Sequence, residues 1–123
     1  MDWTSVLIFA AIVVLFFLSN RVGLISAAAA KGHLKQGALI VDVRTVAEFN
    51  NGHLKRAINM PLDDIEMLAP QRVTDKRQVL LLHCQSGLRS GVARKKLVAL
   101  GYTQAFNLGS YRRAARIADH AQS

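Results

Sequence analysis

The chain has 123 residues, a formal net charge of +8 at pH 7 and one cysteine. This length allows one small domain, and a single cysteine excludes an intrachain disulfide framework. The positive charge suits anionic neighbours, namely nucleic acid, anionic lipid or a small anionic substrate. Nucleic acid is not expected, because basic pairs such as Lys95 and Lys96 lack the interleaved aromatic residues of a single-strand binder.

Residues 1–20 are predicted to form a single transmembrane anchor. From Trp3 to Asn20 no residue is charged, and the stretch approaches the roughly 20 apolar residues that a spanning helix needs. Arg21 would then lie near the helix end, where its side chain can reach the headgroups. Lysine and arginine follow this stretch and none precedes it, which predicts an N-terminus outside and a domain in the cytoplasm. The alternative is a cleaved signal peptide, which the small residues at 26–30 would permit.

The rest of the chain alternates predicted helices and strands. Residues 21–37 are interpreted as a linker and first domain helix, and residues 38–123 as the domain. The apolar runs ALIVDV and QVLLLHC are typical of strands buried on both faces, as in a parallel sheet. Shorter strands are expected at AINM and QAFNL, and helices at TVAEFNNGH, PLDDIEMLA, RSGVARKKLVALG and SYRRAARIADHA. This order predicts an α/β fold in which helices flank a mostly parallel central sheet.

The only cysteine ends the second buried strand. Ligands of parallel α/β sheets bind at the carboxyl ends of the strands. Cys84 lies at such an end, followed by a glycine-containing turn, Arg89 and a helix, so backbone N–H groups and a cation converge there and lower a thiol pKa. Cys84 is therefore a candidate nucleophile, with an inert buried thiol as the alternative. The predicted anion-binding loop comprises Gln85, Ser86, Gly87, Leu88 and Arg89.

Charged residues also follow the neighbouring strand. We interpret Asp42 and Arg44 as a structural ion pair that supports the loop, with positioning of a donor as the alternative. Glu48 and His53 are expected to brace the turn that comes next. His83 should face the opposite side of its strand from Cys84 by alternation, so we interpret it as a packing residue.

Two stretches resemble the rhodanese domain family. CQSGLRSGVARKKLVALGY resembles its active-site loop and following helix, and LIVDVRTVAEFNNGHLKRAINMPL resembles its first motif. The resemblance implies a sulfurtransferase in which Cys84 takes a sulfane sulfur from a small anionic donor such as thiosulfate. An external thiol or cyanide would accept the sulfur, and neither a metal nor a cofactor is expected. The chain departs from the family where Lys55 and Arg56 replace the usual Pro-Gly, and where Gly109, Ser110 and Tyr111 replace Gly-Gly-Trp.

Loop length separates this interpretation from other enzymes. Four residues lie between Cys84 and Arg89, one fewer than in phosphatases and arsenate reductases with a comparable loop. The tighter ring suits one persulfide sulfur better than a tetrahedral oxyanion, and the loop holds no acid to protonate a leaving group. A membrane-tethered rhodanese-like binding module with negligible turnover is the alternative from another class. The sequence leaves the donor, the acceptor and the oligomeric state open.

Overall fold

The computed structural model describes residues 2–21 and 24–121. Its elements in chain order are α1 (Trp3–Arg21), α2 (Ala27–Lys35), β1 (Leu39–Asp42), α3 (Val46–Asn50), β2 (Ile58–Asn59), a 3-10 turn (Leu62–Asp64), α4 (Ile65–Arg72), β3 (Leu80–His83), α5 (Leu88–Ala99), β4 (Ala105–Gly109) and α6 (Tyr111–Ala121). The strands form one sheet in the order β2-β1-β3-β4, with every neighbouring pair parallel. The predicted α/β fold with a parallel sheet flanked by helices is confirmed.

The leucines of β3 show how the sheet is buried on both faces. Leu80 and Leu82 pack in a cluster with residues of α4 and α5, whereas Leu81 packs with residues of α2 and α6. All three are completely buried, which explains why the strand is apolar at successive positions. Burying each leucine contributes about 1.5 to 3 kcal/mol to stability. Helices therefore pack on both faces of β3 and fix the position of Cys84, the residue that follows the strand.

Two local signals hold the loops at the carboxyl edge of the sheet. Thr45 caps α3, because its hydroxyl accepts the Glu48 N–H at 3.2 Å while the Glu48 carboxylate accepts the Thr45 N–H at 3.1 Å. Helix α5 begins after Gly87, whose φ is +97°. Glycine adopts that left-handed conformation without steric cost. The Thr45 cap thus sets the path of the chain after β1, and the Gly87 turn sets it after β3.

Helix α1 begins where the sequence indicates. The Asp2 carboxylate accepts the N–H of Ser5 at 2.8 Å and so caps the first turn. Its described apolar side chains are mostly exposed, including Trp3 at 77% and Leu15 at 64%. This helix is the element on which the predicted membrane anchor rested.

The transmembrane anchor predicted for residues 1–20 is not supported. Within residues 2–21 and 24–121, no helix is both long and apolar enough to cross a bilayer. The side chain of Arg21, which was expected to reach the headgroups, is not among the described side chains.

Candidate active site

The candidate nucleophile lies at the carboxyl end of β3. The Cys84 side chain is completely buried, and its backbone N–H donates to the Gly109 carbonyl at 3.3 Å. The chain then turns through Gly87, where an added Cβ would lie 3.4 Å from backbone carbons of Gly109. Both the positive φ and this close approach favour glycine at position 87.

Neutral donors surround the sulfur of Cys84. The Gly87 N–H donates to Sγ at 3.0 Å, and the Ser90 hydroxyl lies 3.6 Å away. Burial raises the pKa of the Cys84 thiol, but hydrogen bonds from the Ser90 hydroxyl and from the N–H groups of Ser90, Gly87 and Ser86 together lower it below its ordinary value. The loop therefore favours the thiolate, which is the reactive form of cysteine.

The structure places the guanidinium of Arg89 on Glu48 rather than on the sulfur. Nη1 and Nη2 of Arg89 donate to the two Glu48 oxygens at 2.6 and 3.0 Å. This hydrogen-bonded pairing raises the pKa of Arg89 and, with the Thr45 cap, lowers the pKa of Glu48 to about 2. The hydrogen bond to Glu48 is the largest influence on the pKa of Arg89, and the charge of Cys84 makes a smaller contribution. Arg89 is thus a cation next to the loop whose charge is balanced by the Glu48 carboxylate.

The sequence-based interpretation of Glu48 was incomplete. It was expected to brace a turn, and its capping contact with Thr45 does so. Its second partner, Arg89, is 41 residues away in sequence. The capping-box pattern could have located Glu48 near the sheet edge, but only the adjacency of β1 and β3 brings it to the loop. His53 lies nearby as expected, with its ring stacked on Phe49 at a centroid distance of 3.8 Å.

Asp42 and Arg44 form the ion pair that the sequence suggested. Nε and Nη2 of Arg44 donate to the buried Asp42 carboxylate at 2.8 to 3.1 Å, and Nη2 also donates to the Gly52 carbonyl at 2.8 Å. The hydrogen bonds that Arg44 donates to the Asp42 carboxylate raise the pKa of Arg44, although burial opposes this change. Arg44 and Asp42 hydrogen-bond each other, and Arg44 also hydrogen-bonds the Gly52 carbonyl. These contacts support a structural role for the ion pair.

His83 is buried, as a packing residue would be, but its surroundings are polar. Nδ1 lies 3.2 Å from the Cys84 carbonyl oxygen, and Nε2 lies 3.7 Å from the Asp42 carboxylate without a hydrogen-bond partner. Burial lowers the pKa of His83, while the charge of Asp42 partly opposes that change. The ring therefore lies between the backbone of Cys84 and the Asp42–Arg44 pair, and its hydrogen bond is on the Cys84 side.

The atypical C-terminal turn closes one side of the loop. The Tyr111 N–H donates to the Gln85 carbonyl at 3.2 Å, and Ser110 pairs with Ser86 as an isolated β-bridge. The Tyr111 ring lies over Arg44, with 4.7 Å between the guanidinium carbon and the ring centroid. An aromatic ring thus covers this ion pair even though Ser110 and Tyr111 depart from the family pattern.

The remaining predicted loop residues lie at the rim. Gln85, Ser86 and Leu88 have exposed side chains, and Leu88 is 73% exposed. A cavity of about 280 Å³ opens beside them, and it is lined by Leu24, Ser86, Gly87, Leu88, Asn107, Gly109, Ser110 and Arg113. The cavity offers space next to the loop for a small ligand.

Sequence reasoning missed Asn107, which lies on β4 beside the loop. Its side chain on β4 contacts both Ser90 and the Gly87 carbonyl, and the residue is 5% exposed. Ser90 lies one position beyond the predicted anion-binding loop, which ended at Arg89. A buried asparagine in a short apolar strand was the available signal, because buried amides need partners.

A family model described as the rhodanese-like domain matches residues 26–113. The chain belongs to that family. It is 33% identical over 69 residues to thiosulfate sulfurtransferase PspE of Escherichia coli K12, a match that covers 56% of this chain and 66% of that protein. It is 38% identical over 71 residues to the uncharacterized protein YqhL of Bacillus subtilis 168, covering 58% of this chain and 55% of the relative. The human single-domain sulfurtransferase TSTD1 superposes with a TM-score of 0.64 at 26% identity, covering 76% of this chain and 96% of that structure.

The resemblance to the rhodanese family found in the two sequence motifs is therefore confirmed. The chain spans less than two thirds of the length of each of these two curated relatives. At the level of the family, the names of PspE and TSTD1 support sulfurtransferase activity. The donor, the acceptor and the individual roles of the loop residues are not fixed by this membership.

Proposed function

We propose that this protein is a sulfurtransferase that carries a sulfane sulfur as a persulfide on Cys84. The observation that carries the proposal is the cysteine sulfur, held 3.0 Å from the Gly87 N–H in a loop whose hydrogen bonds lower the thiol pKa. A thiolate stabilised in this way attacks sulfur near neutral pH. The sulfurtransferase names among the relatives agree with this chemistry.

The first step takes sulfur from a small anionic donor such as thiosulfate. The Cys84 thiolate attacks the outer sulfur, a new S–S bond forms, and the donor S–S bond breaks so that sulfite leaves with the bonding electron pair. The loop N–H groups that face Sγ stabilise the negative charge of the terminal persulfide sulfur. The enzyme carries one negative charge on sulfur before and after this step.

The second step passes the sulfur to an external acceptor. A thiolate or cyanide attacks the terminal sulfur, the persulfide bond breaks, and the electron pair returns to Cys84. Because the chain has no second cysteine, an internal disulfide cannot resolve the persulfide. Each step is a nucleophilic displacement at sulfur in which the leaving group takes the bonding electron pair, so the proposed reaction needs neither a metal nor a cofactor.

The loop and its neighbours take separate parts in this proposal. Gln85 to Leu88 supply backbone donors and the rim of the anion site, while Arg89 contributes a cation tempered by Glu48. Asp42 and Arg44 support the loop from the adjacent strand and stay occupied with each other. The donor is expected to enter through the cavity beside Gly87.

Intact mass spectrometry tests the proposal directly. The full chain is incubated with thiosulfate, and a gain of one sulfur atom should appear, be absent in Cys84→Ser, and disappear when a thiol or cyanide is added. Failure to gain sulfur from thiosulfate or from other sulfane donors would contradict the proposal. That result would favour a rhodanese-like binding module with negligible turnover.

A further inference from the structure

The hydroxyl of Ser90 has more acceptors than it can serve. Its Oγ lies 2.7 Å from Oδ1 of Asn107, 3.1 Å from the Gly87 carbonyl oxygen and 3.6 Å from Sγ of Cys84. A serine hydroxyl has one proton to donate. Its hydrogen bond to the sulfur therefore competes with its hydrogen bond to Asn107, and the shortest distance favours Asn107.

The orientation of the Asn107 amide is determined by its other contacts. Oδ1 accepts the Gly109 N–H at 2.9 Å, and Nδ2 donates to the Gly87 carbonyl at 3.1 Å. The flipped amide would place Nδ2 against the Gly109 N–H, donor facing donor, so the network assigns Oδ1 to the side of Ser90. Gly91 leaves room for this arrangement, because a Cβ there would lie 3.4 Å from Nδ2.

The strength of an acceptor depends on its charge. A neutral thiol accepts hydrogen bonds weakly, whereas bonds to an ionised acceptor are about twice as strong as neutral ones. Ser90 and Cys84 are completely buried, where water does not replace a lost partner. The Ser90 proton should thus face Asn107 while the cysteine is a thiol and turn to the sulfur when it is an anion.

We propose that Asn107 is a positioning residue that controls, through Ser90, how readily Cys84 holds negative charge. Its amide oxygen competes with the sulfur for the Ser90 proton, and its amide nitrogen holds the Gly87 carbonyl so that the loop keeps its shape. A weaker acceptor at position 107 frees the Ser90 hydroxyl for the Gly87 carbonyl and the sulfur, of which an anionic sulfur is the stronger acceptor. A stronger acceptor at position 107 retains the Ser90 hydroxyl. The inference builds on the proposed role of Cys84 as nucleophile but concerns its ionisation, which needs no sulfur donor.

The test measures the thiol pKa of the full chain from the pH dependence of alkylation by iodoacetamide. Asn107→Ala is compared in two backgrounds, with Ser90 present and with Ser90→Ala. In each background the substitution shifts the thiol pKa by some amount. The shift with Ser90 present should be lower by about 0.5 to 1 unit than the shift in the Ser90→Ala background, as expected for one hydrogen bond. Equal shifts in both backgrounds would overturn the proposal and leave Asn107 as a purely structural residue.

Asn107→Asp provides a second variant of nearly the same shape. Its charged oxygens should retain the Ser90 proton, so the thiol pKa should rise more with Ser90 present than in the Ser90→Ala background. This variant carries the test alone if Asn107→Ala fails to fold, and an equal rise in both backgrounds contradicts the proposal. Asn59→Ala is the matched control, because Nδ2 of Asn59 donates to the carbonyls of Asp42 and Arg44 and not to the network of Ser90 and Asn107. Its effect should not depend on Ser90.

Alkylation keeps this test separate from the sulfurtransferase proposal. A protein that gains no sulfur from thiosulfate still reports its thiol pKa, so a missing persulfide does not decide the role of Asn107. Conversely, equal pKa shifts in the two backgrounds would show that Asn107 does not act on Cys84 through Ser90. The proposal that Cys84 carries the sulfur would be unaffected.

Discussion

Glu48→Gln tests whether the ion pair with Arg89 tunes the cysteine or only braces the fold. The glutamine can still accept the Thr45 N–H, so the capping box is preserved and the ion pair alone is weakened. Removing the carboxylate takes a negative charge away from the loop and frees the guanidinium. Both effects favour the Cys84 thiolate, so the thiol pKa should fall. Arg89→Gln leaves the Glu48 carboxylate uncompensated, so the thiol pKa should rise.

The geometry of the pair sets the size of the effect. The side chains of Arg89 and Glu48 are 36% and 34% exposed, so solvent screens their charges, and exposed pairs contribute about 0.2 to 1 kcal/mol. The two short contacts place this pair near the upper end, and about 1 kcal/mol corresponds to about 0.7 pKa unit. The sulfur senses only part of this change, so we expect a shift of about 0.5 unit in each direction. The free energy of unfolding should fall by about 1 kcal/mol in either variant.

The assays are iodoacetamide alkylation against pH for the thiol and urea unfolding for stability. Glu66→Gln is the matched control, since its carboxylate pairs with Lys96 at 3.4 Å between α4 and α5 and should leave the thiol pKa unchanged. A rise in the thiol pKa of Glu48→Gln would refute the reasoning. Unchanged alkylation in both Glu48→Gln and Arg89→Gln would likewise show that the pair is structural only.

Four further outcomes are expected. Cys84→Ser should abolish sulfur uptake from thiosulfate, whereas Arg89→Lys should keep part of it because a cation remains, and intact mass measures both. Leu82→Ala should lower the free energy of unfolding by about 2 to 5 kcal/mol in urea melts, because it leaves a cavity in the core; a loss below 1 kcal/mol contradicts the packing. Burial lowers the pKa of His83, so below about pH 6.5 the unfolded chain binds more protons than the folded one. The contribution of His83 to the free energy of unfolding should therefore be unchanged above about pH 6.5 and fall below it. His83→Gln should remove that contribution to the decline. The cytoplasmic location stays a prediction, under which a membrane-impermeant thiol reagent should fail to label Cys84 in intact cells, and labelling before lysis would contradict it.

The features that were predictable from the sequence depend on local order along the chain. The runs that form β1 and β3 are apolar at consecutive positions, as a strand buried on both faces requires. The position of Cys84 follows from the same run, because the glycine turn and helix come immediately after it. Neighbouring residues carried this information, so no knowledge of the strand order was needed.

The contacts that were not predictable join residues distant in the chain. Glu48 reaches Arg89 because β1 lies beside β3, and Asn107 reaches Ser90 because β4 lies on the other side of β3. Strand order is decided by the packing of whole helices on the sheet, and no single motif encodes it. The anchor prediction rested on the absence of charge over residues 3–20, and it is not supported, because no helix among the described residues is long and apolar enough to cross a bilayer.

The charge around the sulfur is the feature that distinguishes sulfur transfer from phosphoryl transfer at such a loop. A thiolate and a persulfide each carry one negative charge, on Sγ in the first state and on the outer sulfur in the second, and the neutral N–H donors of the loop can stabilise either charge. A phosphoryl group in the loop would bring additional negative charge, which cations stabilise in phosphoryl-transfer enzymes. Here the candidate cation, Arg89, is already paired with Glu48 through two hydrogen bonds. The electrostatic balance of the loop therefore favours a singly charged cargo, which agrees with the argument from its length.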